Sequence, residues 1–298
     1  MANKYRLSSN AYDRETPDEQ ITPKKIYFIS VEGVATEVEY LQGLSDYRAD
    51  LGIDSLVNVE VLRRKTKDGY SAPDQVVELL EEYLSLREAG DDIFPDIPDE
   101  IKNDFEPDFI RLYLEAPGSI SSKKRNKFEL ALRKIGYDLV YRKYLSKYTN
   151  DFDEFCILID RDTGSHSPED MRFILQYCEA SKYRCFITNP CFEFWLLLHF
   201  SDVHEEYADR LDLIRENKKI SNTHTYVSNE LSQKAHHGKK GIAFKEKYLP
   251  HIEEAIVRAS KFACDNESLL TNVGCNIWKL IKEMQSFDNN LIFQKFSD

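Results

Sequence analysis

Ile26-Tyr27-Phe28-Ile29-Ser30-Val31-Glu32-Gly33 is the stretch that decides the fold class. A nearly continuous apolar run, closed by an acid and a glycine, suits a strand buried on both faces. Such strands belong to parallel sheets covered by helices on each side. Phe155-Cys156-Ile157-Leu158-Ile159 repeats the pattern and ends at Asp160-Arg161-Asp162. Arg184 to Thr188 repeats it again before Asn189-Pro190, and Leu56 to Leu62 alternates as a further strand.

Helical patterns fill the intervals. Val38, Leu41 and Leu44 recur at helical spacing after Thr36. Pro73 opens a helix whose Val76, Val77, Leu80 and Leu84 share a face. Ser167 with Asp170 three residues on, and Pro168 between them, predicts a capped helix start. A further helix containing Phe194 to Leu198 follows Asn189-Pro190. Strands alternating with helices imply βαβ units, so the expected fold is α/β with a mostly parallel sheet flanked by helices.

The expected organisation has five parts: a loose arm at 1–23, core at 24–90, a mainly helical insertion at 91–150, core again at 151–205, and a helical region at 206–298. The insertion begins at a proline-rich, acidic stretch (Pro95, Pro98, Pro107). Within it, Phe109 to Leu114 is expected as a short strand and about Lys124 to Tyr148 as a helix. Residues 246–262 and 276–285 are expected as helices.

A net charge of −12 argues against broad electrostatic attachment to nucleic acid. Three local basic clusters, Arg63 to Lys67, Lys123 to Lys127 and Lys234 to Lys247, nevertheless keep such a partner in view. Taken alone, each reads first as a solvated face. The six cysteines show no CxxC spacing and lie largely in apolar runs, as reduced buried thiols do. With no apolar run long enough for a membrane span, a cytoplasmic location without a membrane partner is expected.

The chemistry concentrates at strand ends. Glu32 and Asp160-x-Asp162 each follow a buried strand, and the carboxyl ends of parallel strands share one edge of the sheet. Carboxylates crowded there repel one another unless a cation neutralises them. Ligands that are all oxygen suit Mg²⁺ or Mn²⁺. Taken singly, either strand-end carboxylate reads as a helix cap or an exposed turn; two together favour a metal site.

These residues carry a resemblance. Ser30-Val31-Glu32-Gly33-Val34-Ala35-Thr36-Glu37-Val38-Glu39-Tyr40 resembles the opening motif of the RloB/AbiLii-like proteins, which have a Toprim core. Ile159-Asp160-Arg161-Asp162 followed by His166 is similar to the second motif of that family. Thr188-Asn189-Pro190-Cys191-Phe192-Glu193-Phe194-Trp195-Leu196-Leu197-Leu198-His199-Phe200 is similar to its NPxFExWLLLHF signature almost throughout. Thr271 to Asn276 with Leu280 is a weaker match to its C-terminal block, and residues 48–150 match poorly.

The resemblance implies a prokaryotic anti-phage or restriction-associated protein with phosphodiester chemistry. The expected activity is Mg²⁺- or Mn²⁺-dependent hydrolysis of RNA or DNA, with a protein partner from a defence operon as a further expectation. Expected catalytic residues are Glu32, Asp160, Asp162 and Lys234. Expected metal ligands are Glu32, Asp160, Asp162 and Glu193, although the helix dipole alone explains an acid at 193 equally well. Gly33, Glu37, Asn189 and His199 are the expected substrate-binding residues, with a satisfied core histidine the plainer reading of His199. Two rivals stand: a non-catalytic Toprim-shaped sensor or subunit, and a phosphatase of the haloacid-dehalogenase type with Asp160 as nucleophile.

Overall fold

The computed structural model describes residues 25–33, 35–55, 57–62, 73–89, 97–135, 137, 139, 152–162, 164, 166–235 and 242–287. They fall into two compact units. The first, drawn from residues 25–62, 73–77 and 152–287, is α/β. Its five-stranded sheet has the order β2-β1-β3-β4-β5, formed by β1 (Lys25–Val31), β2 (Val57–Val61), β3 (Glu154–Asp160), β4 (Arg184–Asn189) and β5 (Gly274–Cys275). The first four strands are parallel and β5 runs antiparallel to β4.

The apolar runs become strands because both sheet faces are covered. On one face lie α1 (Thr36–Asp46), α7 (Phe192–Leu197), α10 (Tyr226–Ala235), α11 (Phe244–Lys247), α12 (Ile252–Ala259) and α14 (Ile277–Gln285), whose apolar residues join one core with Tyr27, Ile29 and Leu158. Tyr40 of α1 sits at its centre, presenting its ring edge-on to Phe192, Trp195, His199, Phe244 and Tyr248. On the other face, Ser30 Oγ donates to the Val76 carbonyl in the first turn of α2 (Pro73–Ala89) at 2.7 Å. Helix α6 (Pro168–Ala180) buries Met171, Ile174 and Cys178 and starts with the predicted reciprocal box between Ser167 and Asp170. Shorter helices α8 (Val203–Glu206), α9 (Leu211–Glu216) and α13 (Asn266–Leu269) complete the unit.

The second unit, drawn from residues 78–139, is helical where described: the rest of α2, then α3 (Asp99–Asp104), α4 (Pro107–Glu115) and α5 (Ser122–Ile135). Phe128 of α5 is its hub, ringed edge-on by Phe105, Phe109 and Tyr113.

Two elements differ from expectation. Phe109 to Leu114 is helical, within α4, because Pro107 occupies its first position and burial falls on Ile110 and Tyr113, three apart, while Leu112 is exposed. The span 246–262 is not one helix: α11, a 3₁₀ turn at Leu249–His251 and α12 divide it. Pro250 cannot supply the N–H that a continuous helix needs there. The expected arm at 1–23 lies outside the described residues. Among those described, no helix is long and apolar enough to cross a membrane.

Candidate functional site

The register of the sheet creates the site. Val31 pairs with Leu158, so Glu32 and Gly33 emerge from β1 beside Ile159 and Asp160 on its neighbour β3. Where the backbone ladder ends, Glu32 continues it with its side chain: Oε2 accepts from the Asp160 N–H at 3.0 Å. On the other side of β3, Asp160 pairs with Thr188, whose hydroxyl donates to Asp160 Oδ1.

Two helices add an acid each from their first turns, where the helix dipole favours negative charge. Glu37 of α1 folds back over the end of β1. A Cβ on Gly33 would overlap its carboxylate, so any larger residue at 33 would push that carboxylate aside. Glu193 of α7 comes from the turn after the cis Asn189–Pro190 bond.

The electrostatics show that these groups converge. Burial, then the charges of Glu37, Glu32 and Glu193 in that order, push the Asp160 carboxyl well above the usual carboxylate range. The Cys191 thiol is raised by burial and by Glu193 and Asp160, and the Tyr248 phenol by burial and Glu193. The four acids therefore act on one another and on their neighbours at this edge.

The opposite edge of the same sheet is balanced. There Lys25 and Arg184 pair with Glu154 and Glu283; Arg184 Nη2 meets Glu283 Oε2 at 2.8 Å, and Tyr27 donates to Glu283 Oε1 at 2.9 Å.

Two basic groups stand beside the four acids. His166 Nε2 stands 3.9 Å from Glu32 Oε1. Arg161 is buried but spends its donors on carbonyls, Nε to Leu270 at 2.7 Å and Nη1 to His166 at 2.6 Å. Burial lowers its pKa. Its work is to fasten the loop that brings His166 to Glu32.

The expected residues are thus sorted. Glu32, Asp160, Glu193, Gly33 and Glu37 are brought together. Asp162 is exposed and shapes a turn, its Oδ1 accepting from Gly164 N–H at 3.2 Å and its carbonyl from His166 N–H at 3.1 Å. The charges that act most on Asp160 are those of Glu37, Glu32 and Glu193. Asn189 is buried and donates to the Leu269 carbonyl at 2.7 Å, tying β4 to α13.

His199 is a core residue, with Nδ1 against the Trp195 carbonyl and Nε2 against the Tyr40 hydroxyl, each at 3.1 Å. Burial drops its pKa to about 3, so it is neutral. Lys234, in the last turn of α10, pairs with Glu206 of α8. His166 was visible in the sequence only as the histidine after the second motif.

Carboxylate oxygens are hard ligands, of the kind that Mg²⁺ and Mn²⁺ take. Among the described residues, no three His, Cys, Asp or Glu side chains are already gathered as a ligand set. Rotations within the carboxylate group would have to complete one.

A family model described as RloB-like protein matches residues 27–284, most of the chain. No curated protein and no solved structure matches it.

Proposed function

The chain belongs to the RloB-like protein family, and from that premise we propose a Toprim-type nuclease that uses Mg²⁺ or Mn²⁺ to hydrolyse phosphodiester bonds of RNA or DNA in prokaryotic anti-phage defence. The observation that carries this reading is the convergence of four acids where parallel strands end: Glu37, Glu32 and Glu193 all act on Asp160. Acids crowded at the carboxyl end of a parallel sheet are suited to a divalent cation that arrives with its substrate.

Glu32, Glu37, Asp160 and Glu193 are the residues that would hold the ion. A bound divalent ion supplies polarisation of the phosphoryl oxygens and a lowered pKa for the attacking water. Glu32, whose Oε2 accepts from the Asp160 N–H and whose Oε1 lies 3.9 Å from His166 Nε2, would take a proton from water. Thr188 orients Asp160 through its hydroxyl.

The net charge of −12 favours a second reading, a non-catalytic sensor or subunit of a defence complex. One experiment separates the two. Purified wild type and Asp160→Ala are incubated with total RNA and plasmid DNA in Mg²⁺, Mn²⁺ or EDTA. The nuclease reading expects cleavage by the wild type that EDTA and Asp160→Ala abolish. Metal binding without turnover of either nucleic acid overturns it and leaves the non-catalytic reading.

A further inference from the structure

The helical unit carries a charged surface that the carboxylate site does not explain. Helix α5 buries Phe128 and Leu132. Positions 123, 127, 130 and 134, spaced i, i+4, i+7 and i+11, line up on another face. Lys123, Lys127 and Lys134 are exposed there, with Leu130 between them, and Lys124 borders the stripe, also exposed.

Among the described residues, little offsets this charge. Arg125 reaches Glu129 at 3.9 Å, and Lys127 lies over the Phe105 ring at 5.4 Å. Among the described residues, Lys123, Lys124 and Lys134 form no ion pair. The start of α5 also runs against helix electrostatics: its first turn holds no acid, and Lys123, Lys124 and Arg125 crowd where the dipole disfavours cations. In a chain with 52 acidic and 40 basic residues, such a violation without local compensation points to a partner.

We infer that the exposed basic stripe of α5 is a nucleic-acid-binding surface that grips the phosphate backbone without reading sequence. The choice of polyanion rests on the nuclease reading, which the stripe deepens by supplying a place to hold the substrate. An anionic membrane fits less well, because the apolar side of α5 is spent on the protein core and only Leu130 interrupts the stripe.

The test uses the full chain in EDTA, which silences cleavage, with labelled single-stranded RNA and DNA oligonucleotides followed by fluorescence anisotropy across a salt series. Lys123→Glu/Lys124→Glu should lower affinity at least about tenfold. It should also flatten the slope of log K against log salt by roughly 1.4, about 0.7 for each lost contact. Its melting temperature should hold or rise, since acids now occupy the first turn.

Unchanged affinity and slope in the folded variant overturn the inference, as does a wild type that binds neither oligonucleotide. So does a variant that loses binding only to phosphatidylserine vesicles. Cleavage with an unaffected stripe variant leaves the nuclease reading standing alone. Stripe-dependent binding without any cleavage does the reverse.

Discussion

Replacing Asp160 by Asn should stabilise the metal-free protein at neutral pH. Asn keeps an oxygen for the Thr188 hydroxyl and the backbone N–H that meets Glu32. It removes the charge that burial, Glu37, Glu32 and Glu193 all oppose. The sign follows from proton linkage. In the unfolded chain an Asp releases its proton near pH ~3.9. The folded carboxyl holds its proton to a much higher pH, so the native state binds more protons across that window and loses stability as the pH rises through it. Asn has no such window, and groups such as His199 titrate in both proteins and cancel in the comparison.

Relief of one repelled carboxylate is worth about 0.5–2 kcal/mol, the usual gain from a single stabilising substitution. At about 2–4 °C per kcal/mol for a unit of this size, Asp160→Asn should melt about 1–8 °C higher at pH 8 in EDTA. The gap should close as the pH falls toward ~4.

Saturating Mn²⁺ should reverse the order. The wild type gains about 2.7 kcal/mol at a hundredfold excess over Kd, and the variant much less. Scanning calorimetry at two pH values, with and without metal, reads all four states. A variant less stable than the wild type in EDTA at pH 8, or one with the full Mn²⁺ response, would refute the reasoning.

Glu37→Gln should weaken Mn²⁺ binding by at least about tenfold by calorimetric titration, whereas Asp162→Asn should leave it nearly unchanged; the opposite ranking would restore the DxD pair as the ligand. Glu32→Gln should stay folded and lose at least ~100-fold in cleavage rate, the low end of general-base catalysis. Lys234→Ala, which breaks only the surface pair with Glu206, should alter stability by about 0–1 kcal/mol and cleavage only modestly. Trp195→Ala should cost about 3–5 kcal/mol in urea unfolding, because its ring is fully buried against Tyr40 and His199.

The strands that build the site were legible because β1, β3 and β4 are buried on both faces, and an apolar run closed by Glu32, Asp160 or Asn189 announces that by itself. The Ser167 box was legible because capping is local chemistry. Phe109 to Leu114 reads as a strand because a six-residue run whose one charge is Arg111 satisfies both periods, and only the neighbours Phe105 and Phe128 settle which face is buried. Two-residue β5 is too short to leave a pattern, and its pairing with β4 joins residues far apart in the chain.

Sequence alone determined an α/β chain whose parallel strands end in carboxylates, since burial, alternation and capping are written in neighbouring residues. Which carboxylates meet was decided only by tertiary structure. Asp160 and Asp162 lie two apart and look like one ligand pair, yet β3 ends at Asp160 and the chain turns, sending Asp162 to solvent. Glu37 lies five residues beyond Glu32 on a separate helix, yet Gly33 lets its carboxylate close over the strand end. His199 sits inside the most specific motif, yet Tyr40 and the Trp195 carbonyl use both its nitrogens in the core. Side-chain direction at the end of a strand depends on where the backbone turns and what packs behind it, and those are properties of the assembled fold.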